Sequence, residues 1–311
     1  MWRRAYPQKP HVESLFGESV PERPGRDLAK PGGKAHLAAM TELTVPPPQT
    51  PPPRAYPGIN WIGLRTLYLR EVRRFLKVGG QTVAAPVVTT LLYMMVFVVA
   101  LQGARPSLLG VSFAEFVAPG LIMMAILNNA FANASSSLIQ AKIMGTATDF
   151  LTPPLSPLEL MIGFSLGAAT RGVLVGLVTA ICVLPFARLG VANLGAILFF
   201  GVMASLLMGL VGVLAGLWSE KYDHLAAAQN FVVMPMTFLS GTFYLVERLP
   251  EPFATLSHFN PMFHLIDGFR YGFIGHAEGD LTAGAVAVLA VTILLGVVCY
   301  LVFRSGWRLK S

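Results

Sequence analysis

Residues 231–275 read FVVMPMTFLSGTFYLVERLPEPFATLSHFNPMFHLIDGFRYGFIG, and this stretch sets the architecture that the rest of the chain must match. It begins as a membrane-grade apolar run, then passes through Pro250, Pro252 and Pro261 while staying rich in aromatic residues. Proline removes a backbone N–H and fixes φ, so one continuous helix is excluded. Non-helical backbone at membrane depth survives only where protein or a water-filled cavity satisfies its polar groups. We therefore predict short, broken helices at a membrane face, with an ordinary packed loop as the alternative.

The composition of the whole chain indicates a membrane protein. Of its 311 residues, 54% are hydrophobic and only 13% are charged, and the mean hydropathy is +0.61. These values exclude an ordinary soluble domain and favour an all-α membrane protein with several spans. The Lys and Arg residues behind the formal charge of +7 lie mainly in the N-terminal region and at the ends of apolar runs. That placement is typical of membrane topology, so no nucleic-acid partner is predicted.

The sequence offers little for bond-making chemistry. Cys182 and Cys299 each lie inside an apolar run, which argues against a disulfide framework. His258 and His264 have no carboxylate or cysteine at ligand spacing, so no metal site is predicted. We assign no catalytic and no cofactor-binding residue.

Two regions of different character follow one another along the chain. Residues 1–58 are polar and rich in proline, with PPPQTPPPRAYP at 46–57. Such a segment cannot bury enough apolar surface to fold, so we predict a disordered cytoplasmic tail. Met40 is a second candidate for the start of translation, in which case residues 1–39 are not translated. Residues 59–311 are predicted to form one transmembrane domain.

An amphipathic helix is predicted at the start of this domain, over residues 60–78, NWIGLRTLYLREVRRFLKV. Its apolar face is predicted to hold Trp61, Leu64, Tyr68, Val72, Phe75 and Leu76, and its cationic face Arg70, Arg73, Arg74 and Lys77. We expect the helix to lie in the membrane interface with its cations toward anionic headgroups. It serves there either as a lipid anchor or as a contact for a cytoplasmic partner.

Six apolar runs reach the length of about 20 residues that a bilayer requires. They lie near residues 82–102, 116–139, 159–186, 194–218, 227–246 and 281–303. Six spans place both termini on one side of the membrane. Most Lys and Arg residues that flank the spans lie on the side of the N-terminus, so we predict that both termini are cytoplasmic.

The third run carries a cation near its middle, Arg171. A charge at the centre of a bilayer is costly, so Arg171 should face the protein interior or a wet cavity. Asn128 and Asn129 in the second run lie at similar depth and are candidate partners. Arg171, Asn128 and Asn129 form either a polar lining of a substrate path or a hydrogen-bonded link between helices.

Glycines in the third and fourth runs predict close helix packing: Gly163, Gly167, Gly172, Gly176, Gly209, Gly212 and Gly216.

The opening stretch resembles the signature of the ABC-2 family of transporter membrane subunits. In that family an FLxG motif and an aromatic residue precede LP, then NP, then an acidic and a basic residue. The matching positions in this chain are Phe238, Gly241, Pro250, Asn260, Pro261, Asp267 and Arg270. The resemblance extends from about residue 60 to the end of the chain. Asp267 and Arg270 are three residues apart and would meet on one helix face, either as a structural pair or as part of a gate.

The resemblance also assigns a role to the segment QAKIMGTATDFLTPPLSPLE, residues 140–159. Without the resemblance it is a membrane loop whose Gly145 and Pro154 end helices. In the ABC-2 family the corresponding loop docks on the ATPase subunit. The resemblance thus implies a coupling role for Lys142, Gly145, Thr146, Asp149, Leu151, Pro154 and Ser156.

The function that the resemblance implies is that of the permease subunit of an ATP-driven exporter in a bacterial cytoplasmic membrane. The chain has no GxxxxGK[ST] phosphate-binding loop, so ATP and Mg²⁺ are expected on a separate ATPase subunit. Family precedent implies two ATPase subunits, a second permease subunit of the same or a different kind, and an amphipathic substrate such as a drug, a lipid or a lipid-linked glycan. The competing hypotheses are a secondary, ion-coupled transporter and a membrane scaffold that transports nothing.

Overall fold

The structure, a computed structural model, describes residues 58–101 and 110–307. The predicted disordered tail lies almost wholly outside these residues and stays a prediction. The long helices are α1 (Trp61–Lys77), α2 (Gly79–Leu101), α3 (Phe113–Ile143), α5 (Pro157–Val183), α6 (Leu194–Trp218) and α11 (Leu281–Ser305). The short ones are α4 (Thr148–Leu151), α7 (Tyr222–Ala228), α8 (Met234–Phe238), α9 (Phe253–Phe259) and α10 (Pro261–Ile274). The π-helix Gln229–Val233 joins α7 to α8, and the 3-10 helix Val246–Arg248 precedes α9.

Five of the six predicted spans correspond to long helices within the described ranges. Helices α2, α3, α5, α6 and α11 are long and apolar enough to cross a membrane. Their ends are set by local signals. Ser112 begins α3 and Ser156 begins α5, each in a reciprocal capping box with the glutamate three residues later.

The predicted span 227–246 has a different form. The helical run starts earlier, at Tyr222, and stops at Phe238, so residues 239–246 do not continue it. The chain turns at Gly241, whose φ of +74° is strained for any residue with a Cβ. A π-helix interrupts the run, and such segments are frequent at functional sites. Six spans therefore remain a prediction, of which the described residues show five.

Helix α3 forms the centre of the bundle. In its most apolar window 78% of the residues are buried, compared with 17% for α11 at the periphery. It packs between α5 and α6, and glycines allow the close approach predicted from the sequence. A Cβ placed on Gly212 would lie 2.5 Å from the Phe131 carbonyl oxygen, and one on Gly176 would lie 2.4 Å from Ile126.

The first helix buries only part of the face that the sequence pattern suggested. Leu64, Leu67, Glu71 and Phe75 are buried against α5 and its neighbours, whereas Trp61 is 69% exposed. The prediction was right for Leu64 and Phe75, was wrong for Trp61 and Leu76, which are exposed, and left out Leu67 and Glu71. It grouped residues by polarity, whereas hydrogen-bonding groups on neighbouring helices also allow a polar side chain to be buried.

Broken helices after Phe238 are confirmed. The segment passes through the 3-10 helix and α9 into α10, which begins with Pro261 at its first position. Helix α10 packs on α6, α11 and α3. The contact with α6 requires glycine, because a Cβ on Gly268 would lie 2.3 Å from the Phe200 ring.

The tight α3–α6 contact gives a first prediction. Replacing Gly212 by Ala forces the two helix backbones apart, and overpacking of this kind costs about 1–3 kcal/mol. Thermal unfolding of the detergent-purified variant should therefore show a lower midpoint. Gly296→Ala in α11 is the matched control, because its added Cβ meets no described atom within 4 Å. Equal midpoints for the two variants would contradict the packing described here.

Candidate functional site

The most deeply buried charge of α1 is Glu71, which has no exposed surface. Its Oε2 atom pairs with Nη2 of Arg74, one turn later, at 3.2 Å. Its Oε1 atom accepts a hydrogen bond of 2.8 Å from the Ser137 hydroxyl on α3. The carboxylate thus has partners on both oxygen atoms, as a charge in a low-dielectric interior requires.

Arg74 extends this network into α3. Its Nη2 atom donates to the backbone carbonyl of Asn133 at 2.7 Å and to the Asn133 side-chain oxygen at 2.9 Å. Its Nη1 atom donates to the Ser136 hydroxyl at 3.3 Å. We call Glu71, Arg74, Asn133, Ser136 and Ser137 the α1–α3 polar cluster. The cluster fastens the first helix to the centre of the bundle by charge-assisted hydrogen bonds.

Arg171 extends the polar region toward the middle of the bundle. Its Nη2 atom donates to the side-chain oxygen of Asn129 at 3.1 Å. Of the two candidate partners, Asn129 lies within hydrogen-bonding distance of Arg171. Asn128 does not join it, since its amide donates to the Met124 carbonyl at 2.9 Å. Asn129 lies one helical turn from Asn133, so Arg171 and the polar cluster share one face of α3.

The sequence pattern missed Glu71 and Asn133 and assigned Arg74 to the lipid headgroups. One signal was available, because Leu64, Leu67, Glu71 and Phe75 follow the 3-4-4 spacing of a buried helical stripe. A glutamate within such a stripe indicates a charge that meets a partner inside the protein. Arg74 lies one turn away on the same helix and is therefore the expected partner.

The predicted coupling loop protrudes from the bundle. It turns at Gly145, whose φ is +68°, and continues through the single turn α4. Asp149 and Pro154 are exposed and Thr146 is half-buried, so this loop offers backbone and side chains to a partner. Beneath it Phe150 is buried and packs edge-on against Phe164 of α5, with ring centroids 5.4 Å apart.

Two of the predicted coupling residues make contacts within the chain. Lys142 donates hydrogen bonds to three backbone carbonyl oxygens at the end of α6. They belong to Gly216, at 3.0 Å, to Leu217, and to Ser219, at 3.1 Å. A cation here satisfies carbonyls that lack a helical partner. Ser156 caps α5, and its hydroxyl accepts a hydrogen bond from the Glu159 amide at 3.3 Å.

Glu159 connects the coupling loop to the first helix. Its carboxylate accepts hydrogen bonds from the Ser156 amide, at 2.6 Å, and from the Asn60 amide. Asn60 in turn caps α1, because its side-chain oxygen accepts from the Gly63 amide at 2.9 Å. The buried carboxylate thus joins the end of the loop to the start of α1. The sequence analysis had assigned no role to Glu159 or Asn60.

The family motif holds the broken segment together, and we call its residues the outer motif: Phe238, Gly241, Pro250, Asn260, Pro261, Asp267 and Arg270. Asn260 caps α10 by accepting from the Met262 amide at 3.0 Å, and its own amide donates to the Met236 carbonyl of α8 at 2.6 Å. Phe238 packs against Phe243, with ring centroids 5.9 Å apart. Pro250 lies in the chain between Phe243 and α9. It is exposed and takes no part in these hydrogen bonds and ring contacts.

Asp267 and Arg270 both stabilise this segment, but in the described part of the chain they form no direct ion pair. Asp267 accepts hydrogen bonds from the amides of Glu278 and Gly279, each at 2.9 Å. Arg270 is 1% exposed, donates to the Gly241 carbonyl, and lies 4.0 Å from the centre of the Phe116 ring. Asp267 thus binds the turn after α10, and Arg270 binds the turn at Gly241. Both residues have a structural role, although they do not pair with each other.

Glu278 is a half-buried acid beside this motif. Its Oε1 atom accepts from the Glu247 amide at 2.8 Å, while its buried Oε2 atom has no hydrogen-bond partner. Burial raises the pKa of Glu278, partly offset by the amide of Glu247 and by the nearby Arg270 guanidinium. The side chain is therefore easier to protonate in the folded protein than in an exposed peptide.

A cavity of about 240 Å³ lies between α2 and α3. Its wall combines apolar groups with polar side chains, among them Thr89, Thr90, Tyr93, Asn128 and Asn129. Asn129 also accepts from Arg171, so the cavity lies next to the polar face of α3. A mixed wall at this depth suits a molecule with both apolar and hydrogen-bonding parts.

Sequence comparison identifies the class to which this fold and these sites belong. The family model described as ABC-2 type transporter matches residues 63–274, which include most of α1, the coupling loop and the whole of the outer motif. The chain belongs to this family and is a transmembrane transport permease.

Individual relatives support the same assignment. The inner membrane transport permease YadH of Escherichia coli K12 is 32% identical over 255 residues, which cover 81% of this chain and 99% of that protein. Nodulation protein J of Neorhizobium galegae is 24% identical over 240 residues, or 76% of this chain and 89% of that protein. The corresponding protein of Rhizobium leguminosarum bv. viciae is 25% identical over 242 residues.

The buried pair in the α1–α3 polar cluster gives a second prediction. Glu71→Leu leaves the Arg74 guanidinium without its counter-charge, and breaking a buried pair costs about 3–5 kcal/mol. Because Arg74 is 25% exposed, we expect a value near the lower end of that range. The double variant Glu71→Leu/Arg74→Leu should lose less than the sum of the two single variants, as measured by unfolding in a double-mutant cycle.

Arg73→Leu is the matched control, since Arg73 lies next in the chain but is exposed. It should leave the unfolding midpoint nearly unchanged. Additive single and double variants would show that Glu71 and Arg74 do not act together.

The raised pKa of Glu278 gives a third prediction, for pH dependence. The pKa of this carboxyl group is higher in the folded protein than in the unfolded chain, where it is about 4.3. Protonation of the group therefore favours the folded state. This contribution to stability is complete below the unfolded pKa and is lost as the pH rises through the folded pKa. Glu278→Gln removes the titration and keeps an oxygen for the Glu247 amide. The variant should therefore gain stability relative to the wild type as the pH rises from 4 toward neutrality, measured by thermal unfolding. Glu251→Gln is the control, because Glu251 is exposed and does not contribute to the pKa shift of Glu278. A constant difference across this range would contradict the assignment.

Proposed function

We propose that the chain is the membrane subunit of an ATP-driven exporter that moves an amphipathic substrate. ATP and Mg²⁺ would bind two copies of a separate ATPase subunit, and a second permease subunit, identical or different, would complete the transporter. In this proposal both termini face the cytoplasm of a bacterium and the chain lies in its inner membrane, as the name of the Escherichia coli relative states for that protein.

One observation carries the proposal: a hydrogen-bonded connection runs from the coupling loop to the centre of the bundle. The loop ends at Ser156, whose amide shares the Glu159 carboxylate with Asn60 at the start of α1. Helix α1 is rigid over its four to five turns. Near its other end, Glu71 and Arg74 bind α3. A displacement of the loop by a partner would therefore reach α3 through α1.

Helix α3 also forms one wall of the mixed cavity next to α2. A shift of α3 relative to α2 would change the volume and the polar surface of that cavity, because Asn128 and Asn129 project from α3. Coupling between two distant sites requires an element that both of them contact. The proposal assigns this role to α3, with the loop at its cytoplasmic end and the cavity partway along it.

The amphipathic substrate is inferred from the wall of this cavity. Threonine, tyrosine and asparagine supply hydrogen-bonding groups beside Leu121 and Met124. A purely apolar molecule would leave these polar groups unpaired, and a purely polar one would gain little from the apolar wall. A molecule with a polar head and an apolar body satisfies both parts.

An ion-coupled carrier is the second candidate, and one observation favours it. Carriers that use protons need an ionisable group inside the membrane domain, and Glu71 is such a group. Its ion pair with Arg74 argues for a structural role. The two candidates are separated by transport assays in vesicles. Transport that stops when ATP is removed, with the proton gradient intact, supports the exporter, and transport that stops when the gradient is collapsed supports the carrier.

Copurification tests the coupling loop directly, and it gives the fourth prediction. Asp149→Asn removes an exposed charge from the proposed docking surface, and an interface residue of this kind is worth about 1 kcal/mol or more. When the chain is expressed with its proposed ATPase subunit, recovery of the ATPase on the tagged permease should fall by about fivefold. Asp223→Asn, at an exposed aspartate of α7, is the matched control and should leave recovery unchanged. Equal recovery with both variants would contradict docking on this loop.

A further inference from the structure

A second cavity, of about 290 Å³, opens between α5 and α6 and is separate from the one beside α2. The described residues that line it are aliphatic, glycine or phenylalanine. Its floor contains the buried side chains of Ile122 and Ile126 from α3, and Phe269 of α10 closes one end. We call this cavity the α5–α6 slot. It offers apolar contact and no hydrogen-bonding side chain, which excludes a polar solute.

The slot opens sideways, toward the surroundings of the two spans. Leu177, Ile181 and Leu198 lie on its rim, and each is 58% exposed. Because α5 and α6 are long and apolar enough to cross a bilayer, we expect this exposed rim to face lipid. The molecules available in quantity at such an opening are membrane lipids, whose acyl chains match the slot in polarity.

Small residues create the space. Gly201 lines the slot on α6, and a Cβ placed there would lie 3.5 Å from the Phe269 ring, which is ordinary contact. A larger side chain at this position would therefore extend into the slot and fill it. Gly176 lines the opposite wall on α5.

The turn that borders the slot carries a cation. Arg188 is exposed in the turn between α5 and α6, and Leu184 and Leu189 on either side of it line the slot. The connecting sequence LPFARLGVAN, residues 184–193, contains no acidic residue. In the predicted topology this turn lies on the side poor in Lys and Arg, so topology does not account for the charge. A basic residue beside an acyl-chain slot is complementary to an anionic lipid headgroup.

We propose that the α5–α6 slot binds one acyl chain of an anionic phospholipid, with the phosphate-bearing headgroup next to Arg188. The site differs from the α2–α3 cavity and does not depend on the proposed export function. Binding would hold Phe269 and Phe273, which line the slot and belong to α10, the helix that carries Asp267 and Arg270. A ligand that binds only the folded protein raises its stability, so bound lipid would stabilise the outer motif.

The experiment measures lipid binding to the purified chain in detergent. Dioleoyl phosphatidylglycerol, which is anionic, and dioleoyl phosphatidylcholine, which has no net charge, are titrated separately. Native mass spectrometry counts the lipids retained, and thermal unfolding reports stabilisation. We expect one phosphatidylglycerol to be retained preferentially and to raise the unfolding midpoint more than phosphatidylcholine does.

Two variants separate the headgroup from the chain. Arg188→Gln should weaken phosphatidylglycerol binding by about fivefold, the effect of one basic residue near a charged lipid surface, and leave phosphatidylcholine unaffected. Arg248→Gln, at another exposed arginine outside the slot, is the matched control and should retain the preference. Gly201→Leu fills the slot and should abolish retention of both lipids. If Gly201→Leu does not fold, Val202→Phe, which also lies on the slot wall, is used in its place to fill the slot.

The proposal is overturned if filling the slot leaves lipid retention unchanged, or if Arg188→Gln and Arg248→Gln lose the preference equally. It is also overturned if filling the slot changes the oligomeric state while lipid retention persists, because the slot would then be occupied by a second copy of the chain.

Discussion

A charge buried inside the bundle must keep its hydrogen-bond partners, and this constraint governs the arrangement of α1 around the bundle. Glu71 and Arg74 can leave water only because α3 presents Asn133, Ser136 and Ser137 to them. The partners fix the rotation of α1, and this rotation places Leu67 and Phe75 against the bundle. The same rotation presents the start of α1 to Glu159. Removal of this cluster would leave the first helix held mainly by apolar contacts, which do not specify a single orientation.

The outer segment obeys the same constraint with different groups. Its backbone is not continuously helical, so carbonyls and amides that would pair within a helix need other partners. Arg270 supplies one for Gly241, Asp267 supplies two for the turn after α10, and Asn260 links α10 to α8. The motif that the family shares is thus explained by the hydrogen bonds that broken helices leave open. This account requires no gate, and Glu278 adds a titratable group to the same segment.

The sequence predicted the features that depend on length, proline and small residues. Five spans, the break after Phe238 and the close packing at Gly212 each follow from local patterns. The end of the broken span was wrong, because residues 239–246 remain apolar although Gly241 turns the chain. Glu71 was missed because its partners on α3 lie more than 60 residues away in the sequence. A charge is buried or exposed according to such partners, and the pattern of α1 alone does not contain them.

The central claim is that the α1–α3 polar cluster transmits movement from the coupling loop to the transport path. The most direct test compares ATP hydrolysis and substrate transport in vesicles that contain the permease with its proposed ATPase subunit. Asn133→Ala removes a buried acceptor of the cluster without placing a charge in the membrane. The account predicts that the variant complex assembles and hydrolyses ATP at close to the wild-type rate. The number of substrate molecules transported per ATP should fall by about tenfold, which is within the usual range of coupling between distant sites. Unchanged transport per ATP in this variant would contradict it.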